Sequence, residues 1–343
     1  MKIIAANLFG VVTCILLSFI NFEVYGHGAI VDGGSEGVGP LIFIPVLVAF
    51  GLFVIFANRK KGWSVLVVGG AGYLGSALVV KLLNRGDRVT VLDPFEFDDE
   101  ILLKVSKNLD LRQVKGTVSN NKAVDEALDG CDSVIWIDDA LADKIKVQYK
   151  EIENKQRSND FLDFIQKVKS SKVKRLIFTS SMSVYGKTNE IEVSEILGVK
   201  PSNTVSVYKA WCEDVLAEQI LEGMVVCTVR PSAIIGPGIV ERLDGELNNL
   251  ISNAIKSRSV TIDDRFQSYP YIHINDMTDL YLFLLDQPGS RLDKKIFNIG
   301  FGQFSDFEFA ELLKNVIGED LTVFTSSSGD IIKRNFSFEK MSK

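Results

Sequence analysis

The sequence predicts an α/β protein: a doubly wound parallel sheet with a smaller C-terminal region, preceded by N-terminal transmembrane helices. Three observations predict it. Short apolar runs alternate with amphipathic stretches from Ser64 to Val229. A glycine-rich turn joins the first of those runs to the first amphipathic stretch. Residues 3–20 and 41–57 are almost wholly apolar.

The two apolar runs come first in the chain. About 18 or more consecutive apolar residues can span a bilayer as a helix. The run 41–57 is followed closely by 59-RKK-61, a basic cluster of the kind that stays on the cytoplasmic side. The segment 21–40 between the runs carries no Lys or Arg. Residues 1–61 are therefore expected to form a membrane anchor. The run 3–20 reads either as a first span or as a cleaved signal peptide. Both readings leave the rest of the chain on the cytoplasmic side of a membrane.

The strands expected beyond Trp63 are 64–68, 88–92, 111–114, 133–137, 174–179 and 224–229. Helical periodicity fills 73–84, 121–129, 151–169 and 206–222, and returns near 244–256, 275–286 and 305–317. Strands alternating with helices imply a parallel sheet with crossover connections. The expected division is 62–230 for the nucleotide-binding domain and 231–343 for a region that mainly binds substrate.

The stretch 65-VLVVGGAGYLGSALVVKLL-83 carries the most specific local signal. A strand runs into Gly69, Gly72 and Gly75 and then directly into a helix. Gly69 permits a tight turn, Gly72 lets the backbone approach a pyrophosphate, and Gly75 allows close helix packing. The first helical residues, Tyr73 and Leu74, present backbone N–H groups and the positive end of a dipole to the phosphates. The second strand ends at Asp93, whose carboxylate suits both ribose hydroxyls and would repel a 2′-phosphate. Strand, loop, helix and acid together indicate a Rossmann-type fold that binds NAD rather than NADP.

The remaining composition excludes several classes. A net charge of −6 argues against a general nucleic-acid binder. Four scattered cysteines and two histidines provide no metal-ligand spacing, so no metal is expected. The cysteines read as ordinary buried thiols.

The glycine spacing is GxxGxxG. With 175-RLIFTSSMSVYG-186, 209-KAWCE-213, 229-VRPSAIIGPG-238, 271-YIHINDMTDLYLFLL-285 and 296-IFNIG-300, it resembles the extended short-chain dehydrogenase/reductase superfamily. The nearest branch is the NAD-dependent epimerase/dehydratase family, most of whose members act on nucleotide sugars. The resemblance covers about residues 64–340. It implies that Ser181 polarises the substrate oxygen, and that Lys209, followed by Glu213, holds the nicotinamide ribose. It also implies that Pro231 lies where the chain passes the nicotinamide. Thr117 stands where an adenine-contacting aspartate is common. The implied partners are a small-molecule substrate, a nucleotide sugar by resemblance, together with the membrane. A homodimer is compatible with the resemblance.

The chain departs from the family where a proton must move. A tyrosine usually stands one helical turn before the lysine, where the two share a face. Here that position is Val205. General base catalysis contributes about 10²–10⁴-fold, and valine cannot supply it. Tyr208 adjoins Lys209 and points about 100° away from it on a regular helix, so it serves as substitute base only if the helix distorts. Tyr185 is a further substitute, although packing is the expected role there. The segment 136-WIDDA-140 replaces small residues under the cofactor, and 327-SSGD-330 lacks a diphosphate-binding arginine.

Three functions follow. One is a membrane-anchored, NAD-dependent enzyme of the epimerase/dehydratase type, favoured by the overall resemblance. Another is an NAD-holding scaffold in a membrane complex with impaired catalysis, favoured by Val205. A third, similar to 3β-hydroxysteroid dehydrogenases acting on a lipid, is favoured by the anchor alone. Fold does not choose among them.

Overall fold

Alternation of apolar residues within each strand builds two core layers, one on each face of a seven-stranded sheet. The computed structural model describes residues 62–96, 100, 102–103, 110–137, 150–186, 190, 192–219, 223–240, 246–263, 269–318, 320–326 and 335–342. The runs 3–20 and 41–57 lie outside these, as do Asp138, Asp139 and 327–330. Among the described residues no helix is long and apolar enough to cross a membrane.

In chain order the first half contains β1 (Ser64–Val68), α1 (Tyr73–Arg85), β2 (Arg88–Asp93) and β3 (Leu111–Lys115). It continues with α2 (Asn121–Leu128), β4 (Ser133–Trp136), α3 (Lys150–Ser170) and β5 (Arg175–Thr179). Next come β6 (Glu192–Val193), α4 (Thr204–Glu218) and β7 (Val225–Pro231). The later part holds β8 (Ala233–Ile235), α5 (Glu246–Ser257), β9 (Ser259–Asp263), β10 (Tyr269–His273) and α6 (Ile274–Asp286). It ends with the single turn α7 (Gly289–Leu292), β11 (Lys295–Ile299), β12 (Gly302–Phe304), α8 (Asp306–Ile317), β13 (Thr322–Ser326), β14 (Asn335–Phe336) and α9 (Glu339–Ser342).

The sheet order is β3-β2-β1-β4-β5-β7-β11, with every pairing parallel. Val65 and Val67 of β1 face α1 and α6, while Leu66 and Val68 face the layer of α2, α3 and α4. Ile135 against Val134 and Trp136, and Ile177 against Leu176 and Phe178, repeat that division. Burial on both faces explains why these strands read as continuous apolar runs. Trp136 is core: its ring meets Phe161 and Phe164 edge-on, with centroids 5.1 Å and 4.9 Å away.

The strand order reverses between β1 and β4, and a crevice outside the carboxyl ends of the strands is the usual ligand site there. Helix α4 starts at Thr204, two residues earlier than its periodicity suggests. Asn203 accepts the Ser206 N–H at 2.9 Å, and Ser206 Oγ accepts the Asn203 N–H in return. Such a reciprocal cap is worth about 1 kcal/mol.

The chain after Pro231 is woven into the same unit. It supplies β11 to the main sheet, and α6 covers α1. Strand β14 pairs with β6. The sheet β12-β10-β8 and the pair β13-β9 lie outside the main sheet, and a third core layer gathers α5, α8 and β9.

Candidate functional site: a dinucleotide crevice

The glycines of the first loop do three different things. Gly69 has φ +81°, a left-handed conformation, and its N–H donates to Leu92 O at 3.0 Å, which holds the turn against β2. A Cβ on Gly75 would lie 2.1 Å from Gly69 O, and one on Gly70 would lie 2.7 Å from Val91 Cγ1. Both are closed off by protein. Gly75 thus seats the helix on the loop itself, where close packing on the sheet was expected. Gly70 carries a steric role that the spacing alone does not mark. A Cβ on Gly72 would meet only Gly69 O, at an ordinary 3.6 Å. Among the described residues nothing requires glycine at 72, and the role expected there is close approach of a pyrophosphate to the backbone.

Gly72 is the N-cap of α1. It offers no side-chain acceptor, and the first turn, with Tyr73 and Leu74, contains no acid. The first N–H groups of a helix have no intrahelical acceptor, and the dipole is positive there. A helix start without cap or acid fits a pyrophosphate. Asp93 ends β2 and is nearly buried. Its Oδ2 accepts the Ala71 N–H at 3.0 Å and its Oδ1 accepts the Phe95 N–H at 2.7 Å. Gly116 N–H donates to Asp93 O at 3.0 Å, and exposed Thr117 follows on the same rim. The sequence-derived cofactor residues are therefore gathered at one end of the sheet, and they fit NAD.

The second group sits at the carboxyl end of β5. Lys209 is 3% exposed, and its ammonium donates to Thr179 O at 2.7 Å. Ser181 caps the short turn Met182–Tyr185 by accepting the Ser183 N–H at 3.1 Å. That bond leaves the hydroxyl proton available to donate. Ser180 N–H donates to Val229 O at 2.8 Å, which sets this strand end beside β7, two residues before Pro231. Ser181, Lys209 and Pro231 thus share the rim that the glycine loop occupies further along the sheet.

Neither substitute tyrosine joins them. Tyr208 is buried in the apolar layer between α3 and α4 and stacks on Trp211 at 6.0 Å, and Trp211 in turn meets Phe161. Helix α4 is continuous through this point, with none of the distortion a substitute base would need. Tyr185 is 2% exposed. Its hydroxyl donates to Asn298 Oδ1 and accepts from Arg230 Nη1, both at 2.7 Å. Burial pushes the phenol pKa up, against the pull of Arg230, which is the wrong direction for a base. Val205 packs at the edge of the same apolar layer as Tyr208.

Behind the rim lies a buried polar chain that the sequence motifs only partly mark. Ser180 Oγ donates to Glu213, and Glu213 receives Arg230 Nε at 3.0 Å and 3.2 Å on its two oxygens. Burial opposes the Arg230 charge, but hydrogen bonds and attraction from Glu213 outweigh it and hold the pKa above the ordinary arginine value. The Asn298 N–H donates to Glu195 at 2.8 Å. Glu213 of the KAWCE stretch thus anchors α4, and with it Lys209, to β7. Cys131, Cys212 and Cys227 are buried thiols, and burial pushes Cys227 up to about 12. Among the described residues no cluster could hold a metal ion.

Residues 65–300 match the NAD dependent epimerase/dehydratase family. The chain belongs to that family. Similar proteins include a probable UDP-arabinose 4-epimerase of Arabidopsis thaliana, 24% identical, with 84% of this chain and 80% of that protein covered. A UDP-glucose 4-epimerase of Lactobacillus helveticus is also 24% identical, over 75% of this chain and 82% of its own. A dihydroflavonol 4-reductase of Arabidopsis thaliana is 27% identical, over 66% and 63%. Among solved structures, a UDP-glucose 4-epimerase from Thermotoga maritima with UDP-glucose has a TM-score of 0.69 at 21% identity, covering 81% of this chain and 91% of that one. MoeE5 with UDP-glucuronic acid and NAD has a TM-score of 0.64 at 21% identity, covering 81% and 91%. The cofactor of this epimerase/dehydratase family member is NAD.

Proposed function

We propose that the protein is a membrane-anchored holder of NAD and a nucleotide sugar in which the proton-transfer half of the family reaction is disabled. The observation that carries the reading is the contrast between two helix starts. That of α1 keeps every feature a pyrophosphate needs. That of α4 has Val205 one turn before Lys209, while Tyr208 is packed in an apolar layer and the Tyr185 hydroxyl is held between Arg230 and Asn298.

In this reading the loop around Gly72 and the start of α1 hold the pyrophosphate. Asp93 orients the adenosine ribose, and Lys209 fixes the nicotinamide ribose. Bound NAD supplies a hydride acceptor. Ser181 donates a hydrogen bond to the substrate oxygen and cannot itself remove the proton, because an alkyl hydroxyl is far too weak a base. The nucleotide-sugar class is supported by two of the similar proteins, which are 4-epimerases of UDP-sugars. The anchor is supported by the two apolar runs, and the cytoplasmic side by 59-RKK-61.

The test is to purify the full chain in detergent and identify co-purifying nucleotide by mass spectrometry. UDP-sugars are then added, and sugar inversion is followed by NMR. Bound NAD with negligible inversion is the expected result. Turnover at ordinary enzyme rates would replace this reading with that of a working epimerase or dehydratase, which the family membership favours.

A further inference from the structure

Tyr73 has a side chain that the cofactor does not account for. Its backbone belongs to the first turn of α1, beside the pyrophosphate position. Its phenol donates to Gly236 O at 2.6 Å, 163 residues away. The ring is 6% exposed and lies against Gly238, where a Cβ would sit 2.5 Å and 2.7 Å from ring carbons. Gly236 has φ +117°, and a Cβ there would fall 2.5 Å from His273 Nε2. Asn248 on α5 fixes the same segment: it accepts the Gly236 N–H at 3.3 Å and donates to Ile234 O at 3.4 Å.

Residues 232–238 therefore form a strap whose middle, Ala233–Ile235 of β8, pairs with β10, and whose two ends are held separately. One end leaves β7, where the Ser232 N–H donates to Ile299 O at 2.8 Å. The other is wedged at Tyr73, just beyond the end of β1. In the sheet, β7 is three strand spacings from β1, roughly 14 Å. The strap must cross that gap, and the gap contains the switch point between β1 and β4. A strap on that course runs along the crevice where the cofactor would lie, and the Tyr73 hydroxyl is bonded to it.

We infer that Tyr73 is the latch of this strap and sets the rate at which NAD enters and leaves. The inference rests on the crevice being the NAD site. The latch bond ties the strap to the start of α1, so it bars passage in both directions. Loosening it raises the open fraction of free and loaded protein alike. Both rate constants then rise by a common factor, and the dissociation constant stays put. An ordinary binding contact behaves differently, because its loss weakens affinity.

The experiment uses the full chain in detergent and the fluorescence of NADH. Association is followed by stopped flow, and dissociation by a chase with excess NAD. Tyr73→Phe removes the hydroxyl and keeps the ring. Both rate constants are expected to rise about five-fold, the factor set by a net hydrogen bond of about 1 kcal/mol, with Kd within two-fold of wild type. Gly238→Ala, which pushes the ring away, is expected to act in the same direction. Unchanged rates in both variants overturn the latch. So does a faster dissociation alone with Kd weakened in proportion, which makes Tyr73 a plain binding residue. Failure of the wild type to bind NADH at all removes the NAD reading as well, and is told apart by that fact.

Discussion

The Asp93 carboxylate accepts the backbone N–H of Ala71 at 3.0 Å, so the acid proposed to meet the ribose also ties down the glycine loop. These two jobs use different properties of the side chain. The loop needs an acceptor at Oδ2. Exclusion of a 2′-phosphate needs the negative charge.

Asp93→Asn separates the two. The amide oxygen can keep the Ala71 bond while its NH2 takes the place of the oxygen that accepts from Phe95, so the glycine loop can stay in place at the cost of that second bond while discrimination falls. NAD affinity is expected to drop about ten-fold, with the preference for NAD over NADP reduced by a similar factor. Isothermal titration with both dinucleotides measures this. An unchanged preference would show that the charge does not face the ribose.

The contrast between Gly72 and Gly75 makes a second test. A Cβ at 72 meets no described protein atom closer than ordinary contact, whereas one at 75 would overlap Gly69 O. Gly72→Val is expected to melt near the wild-type temperature and bind no NAD. Gly75→Ala is expected to lose folding stability itself, because the loop backbone must move. Thermal melts with and without 1 mM NAD, a ligand concentration of about that order being ample for this class of site, distinguish the two. Equal NAD affinity in Gly72→Val would remove the pyrophosphate from this loop.

Much of this crevice was legible in the sequence, because its parts are local. The strand β1, the loop and α1 are contiguous, and Asp93 ends the next strand. The polar chain behind the rim was not legible. Tyr185 reaches Asn298 across 113 residues, and Thr179 reaches the Tyr281 hydroxyl across 102. No spacing rule links such positions, since only the packing of β11 and α6 onto the sheet brings them together. The short strands β12 and β14 were missed for another reason. Three and two residues are too few to show an alternation. The start of α4 could have been placed correctly, because 203-NTVS-206 carries both halves of a capping box.

Tyr185 provides a pH prediction with a definite sign. Burial raises its pKa in the folded state, so the folded chain holds that proton more tightly than the unfolded chain does. Its contribution to stability is complete below the unfolded value of about 10 and is lost as pH climbs through the raised folded value. Tyr185→Phe should make stability less sensitive to pH above about 10. At neutral pH it should cost about 1–3 kcal/mol, because it removes partners from buried Arg230 and Asn298. Urea melts at neutral and alkaline pH read both effects. Any residual sugar inversion should survive the substitution, and its abolition would restore Tyr185 as the base.

Val205→Tyr asks whether the missing phenol is the whole defect. Position 205 lies in the first turn of α4, four residues before Lys209 and on the same face. Lys209 is already held at the strand end by Thr179 O, and Ser181 stands on the adjoining turn, so the phenol would enter a prepared arrangement. A nearby ammonium favours the ionised phenol, which is the form that accepts the substrate proton. Val205 is only partly buried against its layer, so a larger side chain has an outward path. Inversion of UDP-glucose, followed by NMR in the presence of NAD, is expected to rise by about 10²–10⁴-fold, the usual worth of a positioned base. If the variant binds NAD normally and the rate does not move, the defect lies on the substrate side of the crevice and not in proton transfer.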